Sequence, residues 1–256
     1  MERADALIFD VNETLLDLTE LRTVLAEALG GGERLAEWFF RLLHGSLVAN
    51  VTDSFRSFET IGVEALRAVA SRQGHQLSDD EATALVAGFR SLPAHPDVPA
   101  ALDRLGAAGY RLIALSNGSS TGIPAQLNHA GIADRFEQII SVEEVGRFKP
   151  DPAPYEHALH RIGVAPPSAL MVAAHDWDIL GARCVGIPGA FITRPGVVWT
   201  VPHPRPELTA PDIAAARIMR NSGGQSYFAW RTRGCLWSAR AGIAYTRRGV
   251  GTSQQE

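Results

Sequence analysis

A chain of 256 residues, 46% hydrophobic and 20% charged, is long enough to bury a substantial core as one large domain or as a core domain with a smaller companion. No stretch reaches the ~18 apolar residues that span a bilayer, and Met1-Glu2-Arg3-Ala4-Asp5 lacks a signal-peptide layout, so no membrane partner is expected and a cytoplasmic location is. The formal net charge of -4 conceals an acidic body and a basic C-terminus.

Ala6-Leu7-Ile8-Phe9 is a strand-length run, apolar on both faces, which suits a buried parallel strand. The next segment, residues 16–95, shows helical patterns only. Leu21, Val24, Leu25, Ala28 and Leu29 recur at helical spacing, Leu35 to Val48 and Phe55 to Ala70 repeat it, and Ser78-Asp79-Asp80-Glu81 is a capping box before Leu85-Val86. Four helices are predicted there. Beyond it, runs at Arg111–Leu115, Phe136–Ile140, Ala169–Ala173 and Ala190–Thr193 alternate with helix-length segments at 97–109, 121–130, 152–163 and 176–186. Several of these helices end on glycine, as at Gly109, Gly131 and Gly163. The pattern predicts an α/β fold: a doubly wound, Rossmann-like parallel sheet built from residues 1–15 and 96–212, with a helical cap of residues 16–95 inserted after the first strand.

Residues 213–256 read as a basic, irregular and mostly disordered tail. From Arg217 to Glu256 seven arginines accompany one acid, six glycines and two tryptophans, leaving 17 basic against 27 acidic groups in residues 1–216. Basic sequence interleaved with aromatics is one way to hold nucleic acid. The same composition fits unselected sequence, and no nucleic-acid partner is expected. Cys184 and Cys235 lie far apart without a C-x-x-C pair, suggesting neither a zinc knuckle nor a disulfide framework. In a cytoplasmic protein the N-x-S/T triplets at Asn12, Asn50 and Asn117 are background.

In an open parallel sheet, ligands bind beyond the carboxyl ends of the strands. The residues found there are Asp10, Ser116-Asn117, Lys149, and His175 to Asp178. Singly, each has an ordinary explanation: a strand-end cap, a turn, a solvated helix start, a first-turn acid. Together they offer a nucleophile, a substrate cradle and an orienting acid. Lys149 is the only lysine beside 23 arginines. Codon bias explains that count, but an ammonium is also a compact point charge that a planar guanidinium does not replace.

Phe9-Asp10-Val11-Asn12-Glu13-Thr14-Leu15, Leu115-Ser116-Asn117-Gly118-Ser119, Lys149-Pro150-Asp151 and Val172-Ala173-Ala174-His175-Asp176-Trp177-Asp178 with Gly181-Ala182 resemble, in order and spacing, the four motifs of the haloacid dehalogenase superfamily. The resemblance spans residues 5–212 and is greatest to the type II (S)-2-haloacid dehalogenases, through the Ser-Asn-Gly-Ser turn, Tyr155 after Lys-Pro-Asp, and Trp177-Asp178 before Gly181-Ala182. It implies a homodimer that takes a small 2-haloacid and releases halide, with no cofactor and no metal. Asp10 would form an aspartyl ester that water then hydrolyses. Lys149, Asp178, Thr14 and Ser116 would complete the catalytic set. Val11, Asn12, Asn117, Arg41, Phe39, Tyr155, His175 and Trp177 would surround the substrate.

Magnesium-dependent phosphatases of the superfamily need an aspartate two residues after the nucleophile and an acid pair in the fourth motif. Here Asn12 and Ala174 stand at those places. The chain also departs from the dehalogenase pattern. The family's cap arginine directly follows a tryptophan, whereas Phe39-Phe40 separate Trp38 from Arg41. The halide receiver is therefore either Arg41 or an aromatic cradle of Trp38, Phe39 and Trp177. In the fourth motif Ala173 and His175 replace serine and asparagine, and His175 is open between a donor, a water-activating base and a packed core histidine. A phosphatase-like hydrolase tolerating the lost acids and a non-catalytic binding protein are the alternatives.

Overall fold

Strand β1 (Ala6–Phe9) is buried along its whole length, as an unbroken apolar run requires at the centre of a covered sheet. The computed structural model describes residues 4–29, 31, 33–206, 208–216 and 218. Among them β2 (Arg111–Ser116), β3 (Gln138–Ser141), β4 (Ala169–Ala173), β5 (Gly189–Ile192) and β6 (Leu208–Ala210) join β1 in one parallel sheet of order β3-β2-β1-β4-β5-β6. The chain winds outward through β2 and β3, then returns to β4 on the other side of β1, so the switch point lies between β1 and β4. Phe9 pairs with Ala114 on one side and Val172 on the other. That register brings the residues after β1, β2 and β4 to one edge.

The doubly wound, Rossmann-like expectation matches this sheet. Its third strand begins two residues later than expected, because the N–H of Phe136 closes the preceding 3-10 turn on Ala133. The sixth strand was not expected. Leu208-Thr209-Ala210 lies between Pro206 and Pro211, too short a run to show a period of two.

Before β2 come α1 (Thr19–Leu29), α2 (Glu33–Thr52), α3 (Phe58–Arg72), α4 (Asp79–Ala87) and α5 (Val98–Ala107). Ser78 and Glu81 form the expected capping box of α4, and Ser57 caps α3 by accepting the Thr60 N–H. The later crossovers carry α6 (Gly122–His129), α7 (Pro152–Ile162) and α8 (Asp176–Cys184). The two faces of the sheet feed different cores. Leu7, Phe9, Leu112, Ala114 and Val172 join a cluster that continues through α1 to α6, whereas Ala6, Ile8, Ile113, Leu115 and Met171 pack on Tyr155, Ala158, Leu159 and Ile179 of α7 and α8.

One expectation is corrected. The segment 213–216, assigned to an irregular tail, belongs to the packed body. Ile213 is fully buried, its N–H donates to Asp97, and Arg104 donates to the Ile213 and Ala214 carbonyls. A single turn held by distant side chains has no period to read. Cys235 lies outside the described residues, and with it the expectation that the two cysteines form no disulfide framework. So does the rest of the tail beyond residue 218, with the expectations of disorder and of no nucleic-acid binding that fall on it. No helix among the described residues is long and apolar enough to cross a membrane.

Candidate active site

Asp10 leaves β1 at the switch point, its N–H bonded to the Val172 carbonyl of β4 at 3.1 Å. The chain turns at once, for the Leu15 and Leu16 N–H groups both reach back to the Val11 carbonyl. The turn returns Thr14 to Asp10: its Oγ1 donates to Asp10 Oδ2 at 2.7 Å and accepts the Ala174 N–H at 2.9 Å. Buried Arg194 fixes the turn from behind, donating twice to the Thr14 carbonyl, at 2.8 and 3.1 Å, and once to Asp97 at 2.6 Å.

Lys149 reaches the same carboxylate from the β3–α7 connection. Its side chain has no exposed surface, and its three donors are all used: Asp10 Oδ1 at 2.8 Å, Asp178 Oδ2 at 2.6 Å and the Leu115 carbonyl at 2.9 Å. These three acceptors surround one nitrogen in three directions, which a planar guanidinium cannot match. The lysine backbone is held too. Its N–H donates to Asn117 Oδ1 at 2.9 Å, and the preceding Phe148 exchanges two hydrogen bonds, 2.8 and 2.9 Å, with the Asn50 carboxamide of α2. Phe148 also stacks on Phe55, ring centroids 4.7 Å apart.

Asp178, in the first turn of α8, shares its other oxygen with the Tyr155 hydroxyl. That approach needs Gly181: a Cβ there would stand 2.6 Å from Tyr155 Oη and 2.9 Å from the Pro150 carbonyl. Burial pushes both carboxyls up, but for Asp10 the Lys149 ammonium and the His175 ring outweigh it and hold the group well below the usual carboxylate range. For Asp178, burial and the Asp10 charge prevail over Lys149, and its pKa rises. Burial lowers the lysine pKa and the two carboxylates more than restore it. Burial and the Asp178 charge keep the Tyr155 phenol protonated. The environments thus push two neighbouring carboxyls apart, and Asp10 is the one kept ionised.

His175 stands at the start of α8 and bridges two acids. Its Nδ1 donates to Asp10 Oδ2 and its Nε2 to Glu13 Oε2, both at 2.9 Å. The ring is stacked between Phe39 and Trp177, with centroids 5.9 and 5.0 Å away. Burial lowers its pKa, yet the two carboxylates push it up to about 10. At neutral pH the ring is an imidazolium lying against two aromatic faces, with no lone pair left to accept a proton from water.

The other candidates divide. Asn117 supports Lys149, and Ser116 Oγ shapes the turn by accepting the Gly118 N–H at 3.2 Å. Asn12 accepts from Gln126 at 3.2 Å and, with Phe58, Glu59 and Gly118, lines a cavity of about 30 Å³ between the helical segment and the turn after β2. Three residues are not brought to Asp10. The side chain of Val11 packs into the core. Arg41 is bonded to Glu37 one turn back at 2.9 Å, because the two-residue spacing after Trp38 rotates it away on its helix. The Trp38 indole donates to the Gly62 carbonyl at 2.8 Å and tilts against Phe89, so it belongs to the helical core rather than to a halide cradle.

Sequence reasoning missed Glu13, Asn50 and Arg194. Glu13 carried one readable hint, its place within the first motif. It adopts φ 64, a left-handed backbone uncommon outside glycine, and that turn aims its carboxylate at His175. Asn50 and Arg194 act across 98 and 180 residues, with no local signal.

The chain matches the haloacid dehalogenase-like hydrolase family over residues 4–186. The (S)-2-haloacid dehalogenase H-109 of Pseudomonas putida is 32% identical over 203 residues, 78% of this chain and 90% of that protein. An (S)-2-haloacid dehalogenase of Pseudomonas sp. (strain YL) is 30% identical over 229 residues, 88% of this chain and 99% of that protein. In three dimensions the L-2-haloacid dehalogenase from Xanthobacter autotrophicus superposes with a TM-score of 0.77 at 23% identity, covering 82% of this chain and 96% of that one, a likeness of fold. With the family matched through the segments that place Asp10, Ser116, Lys149 and Asp178 together, the chain belongs to the haloacid dehalogenase-like hydrolases.

Proposed function

We propose that this chain hydrolyses the carbon–halogen bond of short (S)-2-haloacids, giving 2-hydroxy acids with inversion through an ester on Asp10. The observation that carries the reading is a single buried ammonium shared by two carboxylates, with the pKa of Asp10 depressed and that of Asp178 raised. A carboxylate kept ionised in an enclosed site is a nucleophile toward saturated carbon. Asp10 Oδ2 already accepts from Thr14 and His175, whereas among the described residues Oδ1 accepts from Lys149 alone, so Oδ1 retains the free lone pair. That pair attacks the α carbon from the side opposite the halogen, and halide leaves with the bonding electrons. Water then adds to Asp10 Cγ, the Cγ–Oδ1 bond breaks, and Oδ1 departs as the hydroxyl oxygen of the product.

Lys149 offsets the charges of Asp10 and of an anionic substrate, Asp178 orients it, and Tyr155 orients Asp178. With Arg41 paired to Glu37, the halide is received by the aromatic edges of Phe39 and Trp177, where the ring quadrupole is positive. Asn12 and Ser116 border the substrate. Asn12 is not an acid and cannot protonate a leaving group, so the residues do not favour phosphatase chemistry. We further propose a homodimer formed through α2, which exposes Phe40, Leu47, Val48 and Val51 along one stripe of its surface.

Halide release from the two enantiomers of 2-chloropropionate, with and without chelator, tests the reading. The (S) form should react and chelator should not matter; release of phosphate from phosphomonoesters, abolished by chelator, would support the phosphatase instead. A single turnover in oxygen-18 water should label Asp10 before product. Label passing straight into product excludes the ester.

A further inference from the structure

Asp10 Oδ2 is crowded in a way that attack on carbon does not require. Thr14 Oγ1 and His175 Nδ1 converge on it at 2.7 and 2.9 Å, and each donor is held from behind. Thr14 is fixed by the Ala174 N–H and its carbonyl by Arg194. His175 is fixed by the Glu13 carboxylate on Nε2 and by Phe39 and Trp177 on its faces. Glu13 reaches the ring only because its backbone is left-handed, φ 64, a conformation that is costly for a side chain of this size. Donors oriented in advance on one oxygen serve best where negative charge appears in the transition state. Once Oδ1 carries the alkyl group, Oδ2 is the carbonyl oxygen of the ester, and it takes the charge when water adds to Cγ.

We propose that His175, held as an N–H donor between Glu13 and Asp10, stabilises with Thr14 the oxyanion that develops on Asp10 Oδ2 during ester hydrolysis. This rests on the aspartyl-ester reading above. His175 is then a catalytic residue of the second step and Glu13 its positioning residue. The oxygen of water bonds to Cγ while the C=O π pair moves onto Oδ2. As the pair returns, the Cγ–Oδ1 bond breaks. One proton of the water ends on Oδ1 of the hydroxy acid, the other passes to solvent, and Asp10 is again a carboxylate. His175 keeps both its protons throughout.

The charge of the ring is set by its neighbours. Asp10 and Glu13 face its two nitrogens, Phe39 of α2 and Trp177 of α8 cover its planes, and Lys149 and Asp178 act on it through Asp10. Asp176, beside it on α8, is turned toward Thr200 and Val201, while His95 and Arg194 bind the backbone of the 13–14 turn. Esterification removes the Asp10 charge and leaves Glu13 as the anion holding the proton on the ring.

Glu13→Gln and Glu13→Gly should therefore be compared with His175→Gln, using (S)-2-chloropropionate and rapid-quench halide assay with intact-protein mass measurement. Glycine suits the left-handed backbone, so it removes the carboxylate without loss of the turn. Each variant should still release about one equivalent of halide per site in a burst and accumulate the ester. Turnover should then fall by about 10²-fold, the effect of losing one oxyanion donor. In Glu13→Gln the hydrolysis rate should decline as pH rises past about 6.5, where an unsupported imidazole loses its proton, while the wild type stays flat. Burst and turnover slowed equally, with no ester accumulating, would overturn the assignment, and so would a hydrolysis rate that rises with pH, the mark of a general base. A wild-type protein that releases no halide refutes the dehalogenase reading itself and this inference with it.

Discussion

Lys149 shows why one amino acid type is required at one place. Its nitrogen satisfies two carboxylates and a carbonyl with no solvent access, so removing it leaves buried Asp178 with the neutral Tyr155 hydroxyl and Asp10 with Thr14 and His175 to offset the charge. Lys149→Met should abolish turnover and cost about 3–5 kcal/mol in denaturant unfolding, the usual loss on breaking a buried pair. Lys149→Arg should be nearly as inactive, and retained activity would show that the ammonium is not specifically needed. His175 makes a separate contribution with a definite sign. Its pKa is raised to about 10 by Asp10 and Glu13 against burial, so its stabilisation is complete below the unfolded value of about 6.5 and is lost as pH rises toward the folded one. The urea midpoint should therefore fall between about pH 7 and 10 in the wild type. His175→Asn should flatten that fall; parallel curves for the two proteins would remove the imidazolium from the account. Asp10, with its depressed pKa, contributes in the opposite direction, losing its stabilisation only as pH falls below the carboxylate range.

Helix α2 connects the site to the helical segment and explains which parts of the site could be read in advance. Its inner face presents Phe39 to His175, its C-terminal end binds the Phe148 backbone through Asn50, and its outer stripe is apolar and exposed. Helical periodicity identified the element, and motif spacing identified Asp10, Ser116, Lys149 and Asp178, because both signals are local in sequence. Neither signal reports rotation of a side chain about its helix, which is why Arg41 and Trp38 were assigned to the substrate but turn to Glu37 and Gly62. Nor does either report a hydrogen bond across 98 residues. Asn50→Ala should cost about 1–3 kcal/mol, since it leaves the Phe148 N–H without its acceptor and the carbonyl with the Asp151 N–H as its remaining donor, and it should lower turnover by loosening the loop that carries Lys149. Unchanged unfolding and kinetics would mean that the clasp is redundant. On the outer stripe, Phe40→Glu with Val51→Glu should convert a dimer to monomer by sedimentation, and an unchanged mass would place the interface elsewhere.

The molecule as a whole is organised around a sheet whose order and direction follow from alternating apolar runs and helices, which is why its architecture was legible while its last strand and its closing turn were not. β6 has three residues, and the turn after it is held by Asp97 and Arg104 from elements more than a hundred residues earlier. These late residues matter to the site because Asp97 serves both ends of the body. One of its oxygens accepts from Arg194, which holds the Thr14 carbonyl, and the other accepts the Ile213 N–H. Ending the chain after Pro211 rather than after Ile218 removes two buried apolar side chains, Ile213 and Ala216, and one partner of Asp97. Burying an isoleucine is worth about 1.5–3 kcal/mol, and the hydrogen bond to part-buried Asp97 adds about 0.5–1.5. The shorter truncation product should therefore melt several degrees below the longer one, by about 2–4 °C for each kcal/mol at this size, and turn over more slowly. Both lack the basic tail and Cys235, so the difference between them isolates the closing turn. Equal melting temperatures and rates would show that the core and the Thr14 turn are complete without residues 212–218.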